Sequence, residues 1–150
     1  MKKNNNIICG IDLSLNGTAL CFLDLKTNKY NVYAFSNLKG LSQKYENIIY
    51  LNRNLDDLDR LIFIRNEIKK LLFKEKPYKI ALENYSYASV GRQFSIGELG
   101  GIIKTLINDL KISLELYAPT EIKKFIYKGN ASKSILMLTI YKKYVVDFSL

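Results

Sequence analysis

The chain has 150 residues and a formal net charge of +9, with 23 lysines and arginines against 14 aspartates and glutamates. Its hydrophobic content of 48% is ordinary for a globular protein that buries a core, and no apolar run of about 18 residues is present to cross a membrane. Histidine is absent, which excludes a histidine general base and a histidine-ligated metal. The basic balance favours a polyanionic partner, chiefly nucleic acid.

The two cysteines, Cys9 and Cys21, both fall in apolar runs and are predicted to be buried and unpaired. The N-terminus is basic, but the apolar run behind it contains Asp12, which is not the pattern of a secretory signal peptide. Because neither a disulfide framework nor a signal peptide is indicated, we expect the protein in the reducing cytoplasm.

The first element is an apolar run that contains a single acid. Residues 7–14 predict a buried strand with Asp12 in it, and an Asn16-Gly17 turn and a second apolar run over 18–25 follow. Asn-Gly between two apolar runs is a strong hairpin signal. An aspartate inside a core strand is costly unless it is paired, hydrogen-bonded or metal-bound. We therefore expect a chemical role for Asp12, and the alternative is that it only caps the turn.

The rest of the chain alternates between strand and helix patterns. A third strand over 29–36 completes an antiparallel meander, whereas 37–52 shows no firm pattern and predicts a loop or a short irregular helix. The later predicted elements are a helix from Leu55 to about Pro77, a strand over 79–82 that leads into Glu83, a loop over 84–92, a helix over 93–110, a strand over 113–117, a short helix from Pro119 to about Tyr127 and a last helix over 131–143. This order predicts an α/β fold whose mixed sheet joins an antiparallel meander to parallel crossover strands.

Asp12 and Glu83 are the candidate functional acids. If the first and fourth strands are neighbours, the two carboxylates meet at one end of the sheet and repel each other unless a cation lies between them. Mg²⁺ or Mn²⁺ suits a site made of hard oxygen ligands, and such ions support phosphodiester hydrolysis. The alternative for Glu83 is an exposed acid at the end of a strand.

Four segments of the chain stand out. They are Gly10-Ile11-Asp12 with Asn16-Gly17-Thr18, then Ile80-Ala81-Leu82-Glu83-Asn84, then Arg92-Gln93-Phe94 with the small residues over 97–101, and finally Pro119 to Lys133 with Lys123-Lys124 and Gly129-Asn130-Ala131-Ser132-Lys133. Together they resemble the RuvC-type Holliday-junction resolvases, and among these they most resemble the phage-encoded branch. The resemblance covers essentially the whole chain in the family's order. It implies an RNase H-like mixed five-stranded sheet, with strands 1–3 antiparallel and strands 4 and 5 parallel, flanked by helices in one domain over 1–150.

The resemblance implies a dimeric endonuclease, dependent on Mg²⁺ or Mn²⁺, that hydrolyses branched DNA such as four-way junctions in recombination, repair or phage DNA processing. It implies that Asp12 and Glu83 are catalytic metal ligands. It also implies DNA contacts by a basic segment, by an arginine and by two tyrosines near the position of the family's stacking aromatic, namely Lys123, Lys124, Lys128, Lys133, Arg92, Tyr85 and Tyr87. The alternatives are a solvated helix face for the lysines and packing over the sheet edge for the tyrosines.

The sequence departs from the family pattern at its C-terminal end. Family members carry a further acidic pair on a later helix, whereas residues 145–150 contain only Asp147. We therefore expect a C-terminally shortened chain that lacks the last catalytic helix. Three alternatives stay open: a nuclease for flaps or RNA–DNA hybrids, a catalytically inactive junction-binding module of the same fold, and a nucleotide-binding protein of the actin and sugar-kinase type.

Overall fold

The computed structural model describes residues 4–84 and 93–144. The strands in these ranges are β1 (Asn4–Asp12), β2 (Ala19–Asp24), β3 (Tyr30–Ser36), β4 (Ile48–Tyr50), β5 (Pro77–Glu83) and β6 (Ser113–Tyr117). The helices are α1 (Lys39–Lys44), α2 (Asp57–Glu75), α3 (Gln93–Asp109), α4 (Pro119–Ile126) and α5 (Lys133–Tyr144). Within the described ranges, none of these helices has both the length and the apolar character that a membrane span requires.

The strands form one mixed sheet in the order β4-β3-β2-β1-β5-β6. Strands β1, β2 and β3 are an antiparallel meander. Strand β5 pairs in parallel with β1, and β6 pairs in parallel with β5. The predicted α/β class, the meander and the parallel crossover strands are therefore confirmed.

The number of strands differs from the prediction of five, because β4 adds a sixth at the edge of the sheet. This strand has three residues and pairs in parallel with β3, with Ala34 opposite Ile48. It follows the six-residue helix α1 in the region for which the sequence gives no firm pattern. Three residues are too few to show the alternation that distinguishes a strand from a loop, so sequence periodicity could not detect β4.

One face of the sheet is buried beneath α2 and α3. Successive side chains of a strand point to opposite faces, and on β1 this puts Cys9 and Ile11 into the core. The helices contribute the other half of the core with Leu61, Ile64, Ile68, Leu71, Leu72, Leu99, Ile103, Leu106 and Ile107. Helix α2 begins where the Asp56 side chain accepts a hydrogen bond of 2.8 Å from the Asp59 backbone N–H.

The opposite face of the sheet lies on the side of α4, and the described residues leave a groove at its centre, so we call it the open face. Cys21 is on this face and is exposed, so the prediction that both cysteines are buried is wrong for Cys21. Strand alternation gives the reason, because Leu20 and Phe22 on either side of Cys21 point into the core. Cys9 is buried, and both thiols are free.

Candidate active site and nucleic-acid interface

Asp12 and Glu83 are the last residues of two adjacent parallel strands. In the register between β1 and β5, Ile11 lies opposite Leu82, so Asp12 and Glu83 are the next neighbours across the strand pair. Ile11 and Leu82 both point into the core. Because successive side chains of a strand point to opposite faces, the side chains of Asp12 and Glu83 both lie on the open face. We call Asp12 and Glu83 the acid pair. Its two members meet at one end of the sheet, as the sequence predicted. The prediction that Asp12 lies inside a buried strand over 7–14 is wrong, because β1 ends at Asp12, which is exposed.

The acid pair lies at a shallow groove on the open face of the sheet. The groove has a volume of about 340 Å³. Small residues of the central strands, together with two larger ones from β6 and α4, line it beside the acids: Gly10, Ala19, Cys21, Ala81, Tyr117 and Ile122. Because these strand residues carry little or no side chain, a backbone of another molecule could approach the sheet closely beside the carboxylates.

The charged forms of both acids are disfavoured where they lie. Desolvation by the surrounding protein raises the pKa of Asp12, and the positive charge of Lys133 opposes this shift. Desolvation and then the negative charge of Asp12 raise the pKa of Glu83, and Lys123 opposes that shift. The carboxylates therefore repel each other, and a cation bound between them would relieve both the repulsion and the loss of solvent.

The acid pair is compatible with a divalent ion but does not complete its coordination. The two ion pairs in the described part of the chain join Lys70 to Glu67 and Lys79 to Glu115, and neither involves Asp12 or Glu83. Two carboxylates that repel each other are hard oxygen donors suited to Mg²⁺ or Mn²⁺. No group of three or more acidic or cysteine side chains suited to a metal occurs in the described ranges. Further ligands would have to be water, a phosphate of the substrate or residues outside these ranges.

The predicted DNA-binding lysines divide into two groups. Lys123 of α4 and Lys133 at the start of α5 are the two whose charges act on the acid pair. Lys128 instead lies over the ring of the neighbouring Tyr127, with 5.5 Å between its Nζ and the ring centroid. Lys124 of α4 is exposed, and its side chain lies beside Gly129. The structure thus brings two of the four lysines to the acids.

Three predicted site residues, Tyr85, Tyr87 and Arg92, lie outside the described residues. Their predicted contacts with DNA therefore remain predictions from the sequence.

The loop that follows Asp12 is fixed by Thr18 and Arg60, for which no structural role is predicted from the sequence. Thr18 is fully buried, and its hydroxyl donates to the Ser14 carbonyl at 2.7 Å and accepts from the Ser14 N–H at 3.0 Å. Arg60 of α2 donates to the side-chain oxygen of Asn16 at 2.8 Å. A threonine next to Asn-Gly is a signal that could have identified Thr18, whereas nothing in the sequence marks Arg60. The alternative that Asp12 only caps the turn is therefore disfavoured, because hydrogen bonds between Thr18 and Ser14 already close the loop.

The fold is similar to those of solved Holliday-junction resolvases. Thermus thermophilus RuvC matches with a TM-score of 0.71 and 14% identity, over 96% of this chain and 83% of that one. A structure of T. thermophilus RuvC in complex with a Holliday junction substrate matches at 0.69 and 13% identity, over 96% and 82%. The yeast mitochondrial Holliday junction resolvase matches at 0.61 and 15% identity, over 95% and 62%.

In sequence comparisons, no protein-family model matches the chain, and neither does any curated protein. The likeness therefore rests on the six-stranded sheet and its helices together with the four motifs named above. The chain has the RNase H-like fold of RuvC-type resolvases, as its sequence motifs predict.

Proposed function

We propose that this protein is a Mg²⁺-dependent endonuclease that hydrolyses phosphodiester bonds in branched DNA, with four-way junctions as the main substrate. The observation that carries the proposal is the acid pair on adjacent strands, with the charge of one lysine acting on each acid. The fold shared with RuvC, which has also been solved with a Holliday junction substrate, supports branched DNA as the substrate.

Each group of residues has a separate task in the proposed reaction. Asp12 and Glu83 would hold the divalent ion, which when bound activates a water molecule and stabilises the leaving oxygen. Lys123 and Lys133 would contact phosphate oxygens and hold the strand against the acid pair, opposing the repulsion between the carboxylates and the DNA backbone. Such phosphate contacts carry no sequence information, so they support selection by the shape of the DNA.

Cleavage of a labelled four-way junction tests the role of Asp12. We expect Asp12→Asn to abolish cleavage with Mg²⁺ while junction binding is kept or strengthened, because a negative charge is removed from the DNA-facing surface. Glu115→Gln is the matched control, since Glu115 is a carboxylate of the next strand but one and already pairs with Lys79 at 2.9 Å. Calorimetric titration with Mn²⁺ gives a readout besides activity. The affinity for Mn²⁺ should fall in Asp12→Asn and stay unchanged in Glu115→Gln.

The outcomes of this experiment separate the proposal from its alternatives. Normal cleavage by Asp12→Asn would show that Asp12 is not a metal ligand. A protein that binds junctions but never cuts them, with either Mg²⁺ or Mn²⁺, would be an inactive binding module. Faster cleavage of flaps or RNA–DNA hybrids than of junctions would reassign the substrate, and a failure to bind any DNA would overturn the proposal.

The salt dependence of junction binding tests the role of Lys133. If Lys133 contacts a phosphate, Lys133→Ala should weaken binding and reduce the slope of log affinity against log salt by about one unit. Lys26→Ala is the control, because Lys26 lies in the turn after β2, at the end of the meander away from Asp12. Equal slopes for the two variants would show that Lys133 contacts no phosphate and belongs to a solvated helix face.

We also propose a homodimer formed through α2. Three apolar residues are exposed along one side of this helix, Leu58 at 64%, Ile62 at 44% and Phe73 at 45%, with polar residues between the last two. Among the described side chains of α3, Phe94 at 91% is the one large apolar residue that is exposed, and Leu99 and Ile103 are in the core. Of the two helices that could form a dimer interface, α2 therefore offers the larger unpaired apolar surface.

The charges of α2 are self-complementary in an antiparallel pairing. Acids are concentrated at its first turn with Asp57 and Asp59, and a lysine, Lys74, occupies its last turn. If two copies cross antiparallel near Asn66, Leu58 of one copy would meet Phe73 of the other. An isologous interface of this kind has the two-fold symmetry needed to place two active sites on a four-way junction.

A further inference from the structure

Two aromatic rings are exposed on the surface formed by α4 and α5. Phe125 in α4 is 76% exposed, and Tyr127 at the end of the same helix is 53% exposed. We call Phe125 and Tyr127 the aromatic pair. An exposed ring forgoes the free energy that burial would give it, so two of them within three residues indicate an unfilled contact surface.

The surroundings of the aromatic pair are strongly basic. Residues 119–144 contain a single acid, Glu121, and six lysines, which are Lys123, Lys124, Lys128, Lys133, Lys142 and Lys143. This charge excludes a basic partner and favours a polyanion. Among polyanions, nucleic acids also have flat rings that can use an exposed aromatic side chain.

Each ring of the aromatic pair already has a lysine on one side. The Nζ of Lys143, near the end of α5, is 5.4 Å from the centroid of Phe125, and the Nζ of Lys128 is 5.5 Å from the centroid of Tyr127. A cation over one face of a ring leaves the second face for stacking, and it puts a positive charge beside any base that stacks there.

The aromatic pair also belongs to the same helix as a lysine of the active site. Lys123, whose charge acts on Glu83, precedes Phe125 by two residues on α4. Two residues correspond to a rise of about 3 Å but a rotation of about 200° along a helix, so Phe125 lies on the side of α4 away from Lys123, whereas Tyr127, about one turn after Lys123, lies on its side. A strand whose phosphate contacts Lys123 would therefore have a neighbouring base within reach of Tyr127, and it would reach Phe125 by passing around the end of α4.

We infer that Phe125 and Tyr127 stack on unpaired bases of a nucleic acid strand whose phosphates are held by the lysines of α4 and α5. The inference rests on the proposed function, because the same strand would extend to the acid pair. The aromatic pair would then bind bases on a surface whose lysines bind only the phosphates of the backbone. The bases that a junction exposes at its branch point are the class of ligand that this site would accept.

A tryptophan reporter tests the inference directly. The chain contains no tryptophan, so Phe125→Trp introduces a single indole whose fluorescence is quenched when a base stacks on it. We expect oligo(dT) to quench this signal and inorganic polyphosphate to bind without quenching it. Tyr30→Trp is the matched control, because Tyr30 is a 49% exposed ring at the start of β3, at the end of the meander away from Asp12, and it should show no quenching. No quenching of Phe125→Trp by saturating oligo(dT) would overturn the inference.

Leucine variants separate stacking from charge. Phe125→Leu and Tyr127→Leu keep an apolar side chain at an exposed position, so folding should be unchanged, and thermal melting checks this. Each should weaken oligo(dT) binding about tenfold, as expected for the loss of one stacked base, without changing the salt slope. Unchanged affinity in both variants would contradict stacking.

Failure of this inference is distinguishable from failure of the proposed function. Junction cleavage with Mg²⁺ but no quenching would retain the nuclease and remove the aromatic pair from its DNA surface. Quenching by oligo(dT) without cleavage of any junction would retain the base-binding site and overturn the nuclease.

Discussion

The buried hydroxyl of Thr18 gives a prediction whose magnitude follows from its contacts. Thr18→Val has almost the same shape but removes one hydrogen bond donated to the Ser14 carbonyl and one accepted from the Ser14 N–H. Each such bond contributes about 1 kcal/mol, so the free energy of unfolding should fall by about 2 kcal/mol. For a protein of 150 residues, this corresponds to a decrease in Tm of roughly 4–8 °C.

Thermal and urea unfolding of Thr18→Val should be measured beside a matched control. Thr139→Val removes a hydroxyl that donates to the Ile135 carbonyl at 2.8 Å, on a helix surface where water can replace it. We expect the control to change Tm little, because no buried polar group loses its partner. A Thr18→Val protein as stable as Thr139→Val would refute the argument that Thr18 fixes the loop. If the loop also positions Asp12, Thr18→Val should weaken Mn²⁺ binding, whereas Thr139→Val should not.

Two further predictions concern charge and assembly. Because the pKa of Asp12 is raised in the folded state, its ionised form lowers stability above that pKa; the penalty shrinks as the pH falls below it and is gone below the ordinary pKa of an aspartate. In EDTA, Asp12→Asn should therefore raise Tm at about pH 7 and change it little at about pH 3, and a Tm gain of equal size at both pH values would contradict this. If α2 forms the dimer, Ile62→Glu should give monomers in analytical ultracentrifugation. Phe94→Glu, at the 91% exposed ring near the start of α3, should not, and the reverse result would assign the interface to α3.

Much of the fold could be predicted because strong local patterns coincide with the element boundaries. The αL conformation of Lys76 directly before Pro77 ends α2 where the sequence indicates it, and β6 spans the predicted residues. The meeting of Asp12 and Glu83 could be predicted on the condition that the first and fourth strands are neighbours, because both acids belong to or adjoin apolar runs of the kind that pair in parallel. That β1 ends at Asp12 could not be predicted, because the apolar pattern continues to Leu13. The direction of the Cys21 side chain could not be predicted, because an uninterrupted apolar run does not show which side of the strand is buried.

The parts that the sequence could not predict depend on contacts between distant segments. Strand β4 exists because β3 offers it a pairing partner, not because its three residues have a distinctive pattern. The hydrogen bond from Arg60 to Asn16 joins residues 44 positions apart, and nothing local to either of them indicates it. Likewise, the sequence places four lysines on one basic segment, and only the packing of α4 and α5 selects Lys123 and Lys133 as the two that act on the acids.

The acid pair lies on central strands of the sheet, whereas Lys123 and Lys133 lie on helices that pack only loosely against it. β1 and β5 each have a hydrogen-bonded strand on both sides. In contrast, α4 has no buried residue, and the side chains of α5 over 133–143 are all exposed or half-buried. On mild heating, the outer helices should detach before the sheet melts. Under the proposed function, such a protein would keep the acid pair in place yet lose its DNA-binding lysines, so the upper limit of its working temperature would be set by DNA binding and not by global unfolding.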